Sequence, residues 1–203
     1  MRYRISKSII IPILIAGTSV SAQGSDLLPD GGFDLGIAGW HLVGRGSLAH
    51  APAEGAGAPG SLRIVGGLAG DRSQAIAGYC LASLPPGLEI QFAFNAKIVT
   101  GTPAFCRLAL FESDRSDCRW ISLGSEVRRT WFSTGWNSSS QGNAVTGIGT
   151  RSIEVRLHCG NADGDNGPLE VLFDDVQVTS PAGLIFADDF ELGSTERWSA
   201  TVP

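Results

Sequence analysis

Apolar and polar residues alternate in short runs along most of the chain, with the period of two that marks strands buried on one face. The clearest run is Leu88–Ile98. Leu88, Ile90, Phe92, Phe94, Ala96 and Ile98 share one parity there, and Glu89, Gln91, Asn95 and Lys97 share the other. Ile153–Cys159 repeats the pattern, setting Ile153, Val155, Leu157 and Cys159 against Glu154, Arg156 and His158. Shorter runs at Ser61–Val65, Gln74–Ala82, Phe105–Phe111, Arg119–Leu123, Thr130–Thr134 and Leu169–Val178 complete the series. Pro85-Pro86-Gly87, the polar stretch Glu112–Asp117 and the turn-rich Gly160–Gly167 separate them. The Ser-, Asn- and Gly-rich stretch Trp136–Thr150 reads as a long loop, and no segment sustains a helical period. About eight or nine antiparallel strands in one domain predict an all-β sandwich.

Composition sharpens this picture. Charged residues are only 17% of the chain and Gly is 27 of 203, which suits strands joined by turns and disfavours a helical bundle. A formal charge of −5 with no basic run argues against a nucleic-acid partner. Residues 1–22 have the layout of a secretory signal peptide. Arg2, Arg4 and Lys7 precede the apolar stretch Ile9–Ala16, and small residues end at Ala22. That apolar stretch is far shorter than the roughly 20 residues of a membrane span. Cleavage near Ala22 would leave a secreted, periplasmic or cell-surface domain over 23–180 and a tail over 181–203, with the formal charge falling to −8. In an oxidising compartment Cys80, Cys106, Cys118 and Cys159 are expected to form two disulfides, with three connectivities open. No CxxC pair suggests a zinc ribbon or a redox motif.

The opening Leu27-Leu28-Pro29-Asp30-Gly31-Gly32-Phe33-Asp34, followed by Gly36 and Trp40, resembles the start of cellulase-type carbohydrate-binding modules of families four, nine and twenty-two. Phe173-Asp174-Asp175-Val176 resembles their last strand. The likeness spans 27–179, with Asp30 and Asp34 standing where the family's usual motif has Asn and Glu. It implies an antiparallel jelly-roll β-sandwich. Counting strands from Ser61, the first, third, sixth and eighth would form one layer, and the second, fourth, fifth and seventh the other. Within that topology, parity assigns Ile76, Cys80, Leu108, Leu110, Ile121, Leu123, Val155 and Leu157 to the core. Tyr79, Phe105, Arg107, Phe111, Trp120, Glu154, Arg156 and His158 would point outward, on the concave face where the related modules hold sugar.

The candidate glycan ligands are therefore Tyr79, Phe105, Arg107, Trp120, Arg156 and His158. Rings can stack on pyranoses, and Arg and His can hydrogen-bond hydroxyls. The plainer alternative is that Phe105 and Phe111 only complete the packing. The same topology pairs Cys106 with Cys159 and Cys80 with Cys118; the rival is Cys80–Cys159 with Cys106–Cys118. The resemblance also implies a structural calcium at Asp34, Asp174 and Asp175, whose hard oxygens suit that ion. Otherwise these carboxylates cap turns. The run from Asn161 to Asn166 lacks the Gly and Glu of a calcium loop and reads as a turn.

No catalytic motif stands out, so the expectation is a secreted, non-catalytic glycan-binding module. The alternative is a structural or adhesive surface protein without a sugar site, and a polysaccharide hydrolase or lyase is an outsider on fold analogy. Asn137-Ser138-Ser139 matches a glycosylation sequon. Leu184–Pro203 echoes the opening, Phe190, Glu191, Gly193 and Trp198 following Phe33, Asp34, Gly36 and Trp40. It also resembles a short tail on exported proteins of gram-negative bacteria.

Overall fold

The computed structural model describes residues 25–69, 72–119, 121–130, 132–163 and 165–181. The signal-peptide reading, the tail, Trp120 and Trp131 lie outside these residues. In chain order the strands are β1 (Ser25–Asp26), β2 (His41–Leu42), β3 (Gly46–His50), β4 (Leu62–Ala69), β5 (Arg72–Ala82), β6 (Glu89–Thr100), β7 (Phe105–Ser113), β8 (Ser122–Arg129), β9 (Trp136–Ser138), β10 (Gly142–Val145), β11 (Ser152–Gly160) and β12 (Glu170–Ser180). All pairings are antiparallel, and the hydrogen-bonded path runs β10-β6-β12-β4-β5-β11-β7-β8. This curled antiparallel sheet is an all-β jelly roll.

Strand β4 joins the two layers. Its first half pairs with β12 through Leu62↔Phe173 and Ile64↔Val171, and its second half pairs with β5 through Gly67↔Gln74. One layer is therefore β4, β12 and β6 with the short strands β3, β9 and β10. The other is β5, β11, β7 and β8, edged by β2. Strict alternation buries Ile90, Phe92, Phe94 and Ala96 of β6 in the core. On β12 the inward set shifts from Val171 and Phe173 to Val176 and Val178, because a bulge between Asp174 and Gln177, with Asp175 at φ 46°, inserts residues into the register. Burying each of Phe92, Phe94 and Phe173 contributes about 1.5–3 kcal/mol. From the opposite layer come Ala75, Ala77, Leu81, Leu108, Leu110, Val155 and Leu157. Trp40 closes one side, tilted against both Phe33 and Tyr79.

Both disulfides join strands of the second layer or its turn. Cys106 and Cys159 face each other directly across β7 and β11 within the core, their Cα atoms 4.1 Å apart. Cys80 joins Cys118, at a Cα separation of 5.9 Å, and so ties β5 to the turn between β7 and β8.

Four expectations change. Cys80 and Ile76 do not face the core: the register sets Cys80 opposite Glu154 and Ile76 opposite His158, so the small residues Ala75 and Ala77 take the inward positions. Leu123 is 53% exposed, because a bulge between Leu110 and Phe111 places it opposite outward Phe111; Ile121 is half-buried ahead of the strand. The described residues at 130 and 132–134 lie outside any strand; β8 instead begins at Ser122 and runs to Arg129. The stretch 136–150 holds β9 and β10, polar edge strands paired to β6. They occupy the place expected for the sixth strand. The sequon's Asn137 is buried, and its side chain bonds the backbone of Ser133, Gly135 and Ala96, so it offers no acceptor for a glycan in the folded state.

Candidate functional site

Strands β5, β11, β7 and β8 lie side by side, so residues of one parity from all four meet on the face away from the core. The register aligns His158 with Arg107, Glu154 with Phe111 and Gly160 with Phe105 across β11 and β7. Arg107 in turn faces Arg128, and Ala109 faces Glu126, across β7 and β8. On the other flank Gly78 of β5 lies between Arg156 and His41 of β2. The structure thus brings Phe105, Arg107, Phe111, Glu154, Arg156 and His158 together on this face, and adds His41, Arg72, Glu126 and Arg128.

Small residues let the large ones lie flat. A Cβ on Gly160 would approach the Phe105 ring at 3.2 Å, and one on Gly78 would lie 2.7 Å from Glu154 Oε1 and 3.0 Å from the His41 ring. Phe105 is only 5% exposed although it stands outside the main core. Its ring meets the His158 ring edge-on, with centroids 4.9 Å apart. The Arg128 guanidinium lies 4.2 Å from the Phe105 centroid, and those of Arg107 and Arg72 lie at 5.6 and 6.0 Å. At the other end Arg156 covers Phe111 at 4.5 Å. Guanidinium groups, rather than bare rings, form the upper layer of both aromatic positions.

Polar contacts fix these groups. Buried Glu154 accepts two hydrogen bonds from Arg156, at 3.0 and 2.6 Å, and its other oxygen lies 3.2 Å from His41 Nε2. Arg107 donates from Nη1 to Glu126 at 2.6 Å and from Nε to His158 Nδ1 at 3.2 Å. Arg72 pairs with exposed Asp163 at 2.5 Å. Burial, then the charges of Arg107, Arg72, Arg128 and Arg156, push the His158 pKa down to about 3, so the ring is neutral at pH 7. Because Nδ1 accepts from a guanidinium, the ring proton resides on Nε2. That buried atom has no hydrogen-bond partner among the described residues.

Tyr79 is a correction. Its parity on β5 is that of Ala77 and Leu81, so it packs on the core beside Trp40 and over Gly39 rather than among the outward arginines. Arg128 and Glu126 were readable from the alternation Glu126-Val127-Arg128, but only once β8 is placed over Ser122–Arg129. His41 and Arg72 carry no local signal; pairing of β2 on β5 and the approach of Asp163 to Arg72 bring them in.

The acidic set is elsewhere. Asp174 is buried on β12 and accepts from the backbone N–H of Ala56 at 2.6 Å and of Asp175 at 2.7 Å. Asp175 accepts from Asn95, and Asp34 is exposed. Burial raises the Asp174 pKa, as do the charges of Asp175 and Asp34, while the backbone hydrogen bonds oppose the rise. Among the described residues no three His, Cys, Asp or Glu side chains are grouped to hold a metal ion. Hydrogen bonds hold the Asp174 and Asp175 carboxylates, and Asp34 is near enough for its charge to act on Asp174.

No family model matches the chain, and no curated protein matches it. Solved structures do. The xylan-binding family 22 module CBM22-2 of Paenibacillus barcinonensis Xyn10C superposes with a TM-score of 0.53 at 16% identity, over 76% of this chain and 99% of that one. The C-terminal family 22 module of Clostridium thermocellum Xyn10B gives 0.57 at 13% identity, over 77% and 94%. A family 61 module solved with β-1,4-galactotriose gives 0.50 at 14%, over 77% and 99%. The fold is that of the β-sandwich carbohydrate-binding modules.

Proposed function

We propose that this chain is a secreted glycan-binding module, without catalytic activity, that holds saccharide on the outer face of the β5–β11–β7–β8 layer. The observation that carries the reading is the convergence of Phe105, Arg107, Phe111, Glu154, Arg156 and His158 on a single face directed away from the core. Arg107, Phe111 and Arg156 are part-exposed there and offer donors beside an apolar edge. Related folds that bind xylan or a galactotriose, together with two disulfides, support a glycan partner and an oxidising compartment. Trp120, outside the described residues, is retained as a further ligand-binding residue.

A glycan array on the protein, followed by titration of the Arg156→Ala and Trp120→Ala variants with the best ligand, tests this reading. Binding should weaken at least about tenfold in each, the loss of roughly one charged hydrogen bond or one stacked ring. An array with no hits, or both variants binding as the parent does, rejects it. The opposing reading, a structural surface protein, is favoured by the near-complete burial of Phe105 and predicts the empty array. Calcium at Asp34, Asp174 and Asp175 is a separate proposal. Adding calcium to chelator-treated protein should raise Tm by mass action, and an unchanged Tm sets it aside.

A further inference from the structure

The residues uppermost on the candidate face are cations. Arg128 covers Phe105, Arg156 covers Phe111, and Arg72 and Arg107 close in around Phe105, so a pyranose cannot stack on either ring without displacing a guanidinium. Four guanidinium groups share the face with two carboxylates, Glu126 and Glu154, and with Asp163 at its margin. Arg128 is exposed, and among the described residues its contact is the ring beneath it rather than a carboxylate. Edge-on to the same Phe105 ring lies a further donor with no acceptor among the described residues, the His158 Nε2–H, in a side chain that is 7% exposed. The face is therefore short of acceptors and in local surplus of positive charge, on a chain whose formal charge is −5. A neutral glycan brings hydroxyls that donate as readily as they accept, whereas a carboxylate or sulfate oxygen only accepts and matches the planar guanidinium fork.

We infer that the face takes an anionic saccharide, a glycan bearing carboxylate or sulfate groups, with Arg128 as the principal anion contact and Arg72 beside it. This rests on the glycan-binding reading above and narrows it to a ligand class. Gly160 is part of the device: with no side chain there, Phe105 lies down over β11 and supports the Arg128 guanidinium.

The test titrates the protein with polygalacturonate, dextran sulfate and neutral β-1,4-xylan at 50 and 500 mM salt. At least one polyanion should bind about tenfold or more tightly than xylan and weaken markedly at the higher salt. Comparison of the two polyanions distinguishes carboxylate from sulfate. Arg128→Gln should weaken that binding about tenfold, and Arg72→Gln with Arg128→Gln further, with an unchanged Tm showing that the exposed substitution leaves the fold intact. Xylan binding as tightly as either polyanion overturns the anionic inference while leaving glycan binding in place. Polyanion binding that survives the double variant overturns the assignment to Arg128 and Arg72. Binding of none of the three in the parent protein overturns the anionic inference, and the glycan array decides the underlying reading separately.

Discussion

The two layers cover their outer faces by different means. Across β12 and β6, backbone does the covering: the segment around 54–56 is held there by the Ala56 N–H on Asp174 and by the Lys97–Glu54 pair. Across β11 and β7, side chains do it, with arginines laid over Phe105 and Phe111 and anchored by Glu126, Glu154 and His158. The Cys80–Cys118 bridge secures a turn at one end of that second face. A strap of backbone satisfies a buried carboxylate once and for all. Guanidinium groups resting on rings satisfy themselves while keeping hydrogen-bond donors turned to solvent, and a ligand can engage those donors without local unfolding.

The sharpest way to break the comparison is Phe105→Ala. If this ring is sealed as deeply as a core residue, its truncation costs about 3–5 kcal/mol in denaturant unfolding. A loss below about 1 kcal/mol would mean the arginine cover is loose and the two faces do not differ as described. Glu154→Gln comes next. It leaves Arg156 without its charge partner, and Arg156 is itself about a quarter exposed, so the expected loss is about 1–3 kcal/mol rather than the full cost of a buried orphan charge. On the strapped face, Lys97→Ala removes an exposed pair and should cost less than about 1 kcal/mol. A Lys97 effect as large as that of Glu154 would erase the distinction.

His158 separates the faces by pH. Its folded pKa of about 3 lies below the unfolded value of about 6.5, so the unfolded chain takes up a proton that the native ring refuses. Its contribution is complete above the unfolded value and is lost progressively as pH falls from about 6.5 to about 3. Stability measured across that window should fall less steeply in His158→Gln than in the parent. Equal slopes would place the pH response in other groups.

Much of this architecture was legible in the residues. Alternation over Leu88–Ile98 and Ile153–Cys159 determined which faces of β6 and β11 are buried, because a period of two leaves no freedom once one face is apolar. That same parity put Arg156 and His158 outward. On β5 it misled, because Ile76 and Cys80 are more apolar than Ala75 and Ala77, and only the register with β11 decides which pair turns inward. Tyr79 left the candidate site for that reason. The edge strands β9 and β10 were invisible because their polar residues carry little local strand signal, and the pairing groups of β6 recruit them. By itself, then, the sequence determined the all-β class, the main buried faces and the outward chemistry of β7 and β11. Only the tertiary structure decided that Arg72, Arg128 and His41 join that chemistry, and that guanidinium groups, not rings, lie uppermost. The physical reason is range. Parity is set by neighbours along a strand, whereas these contacts depend on which strands lie adjacent and on where glycines allow side chains to lie flat.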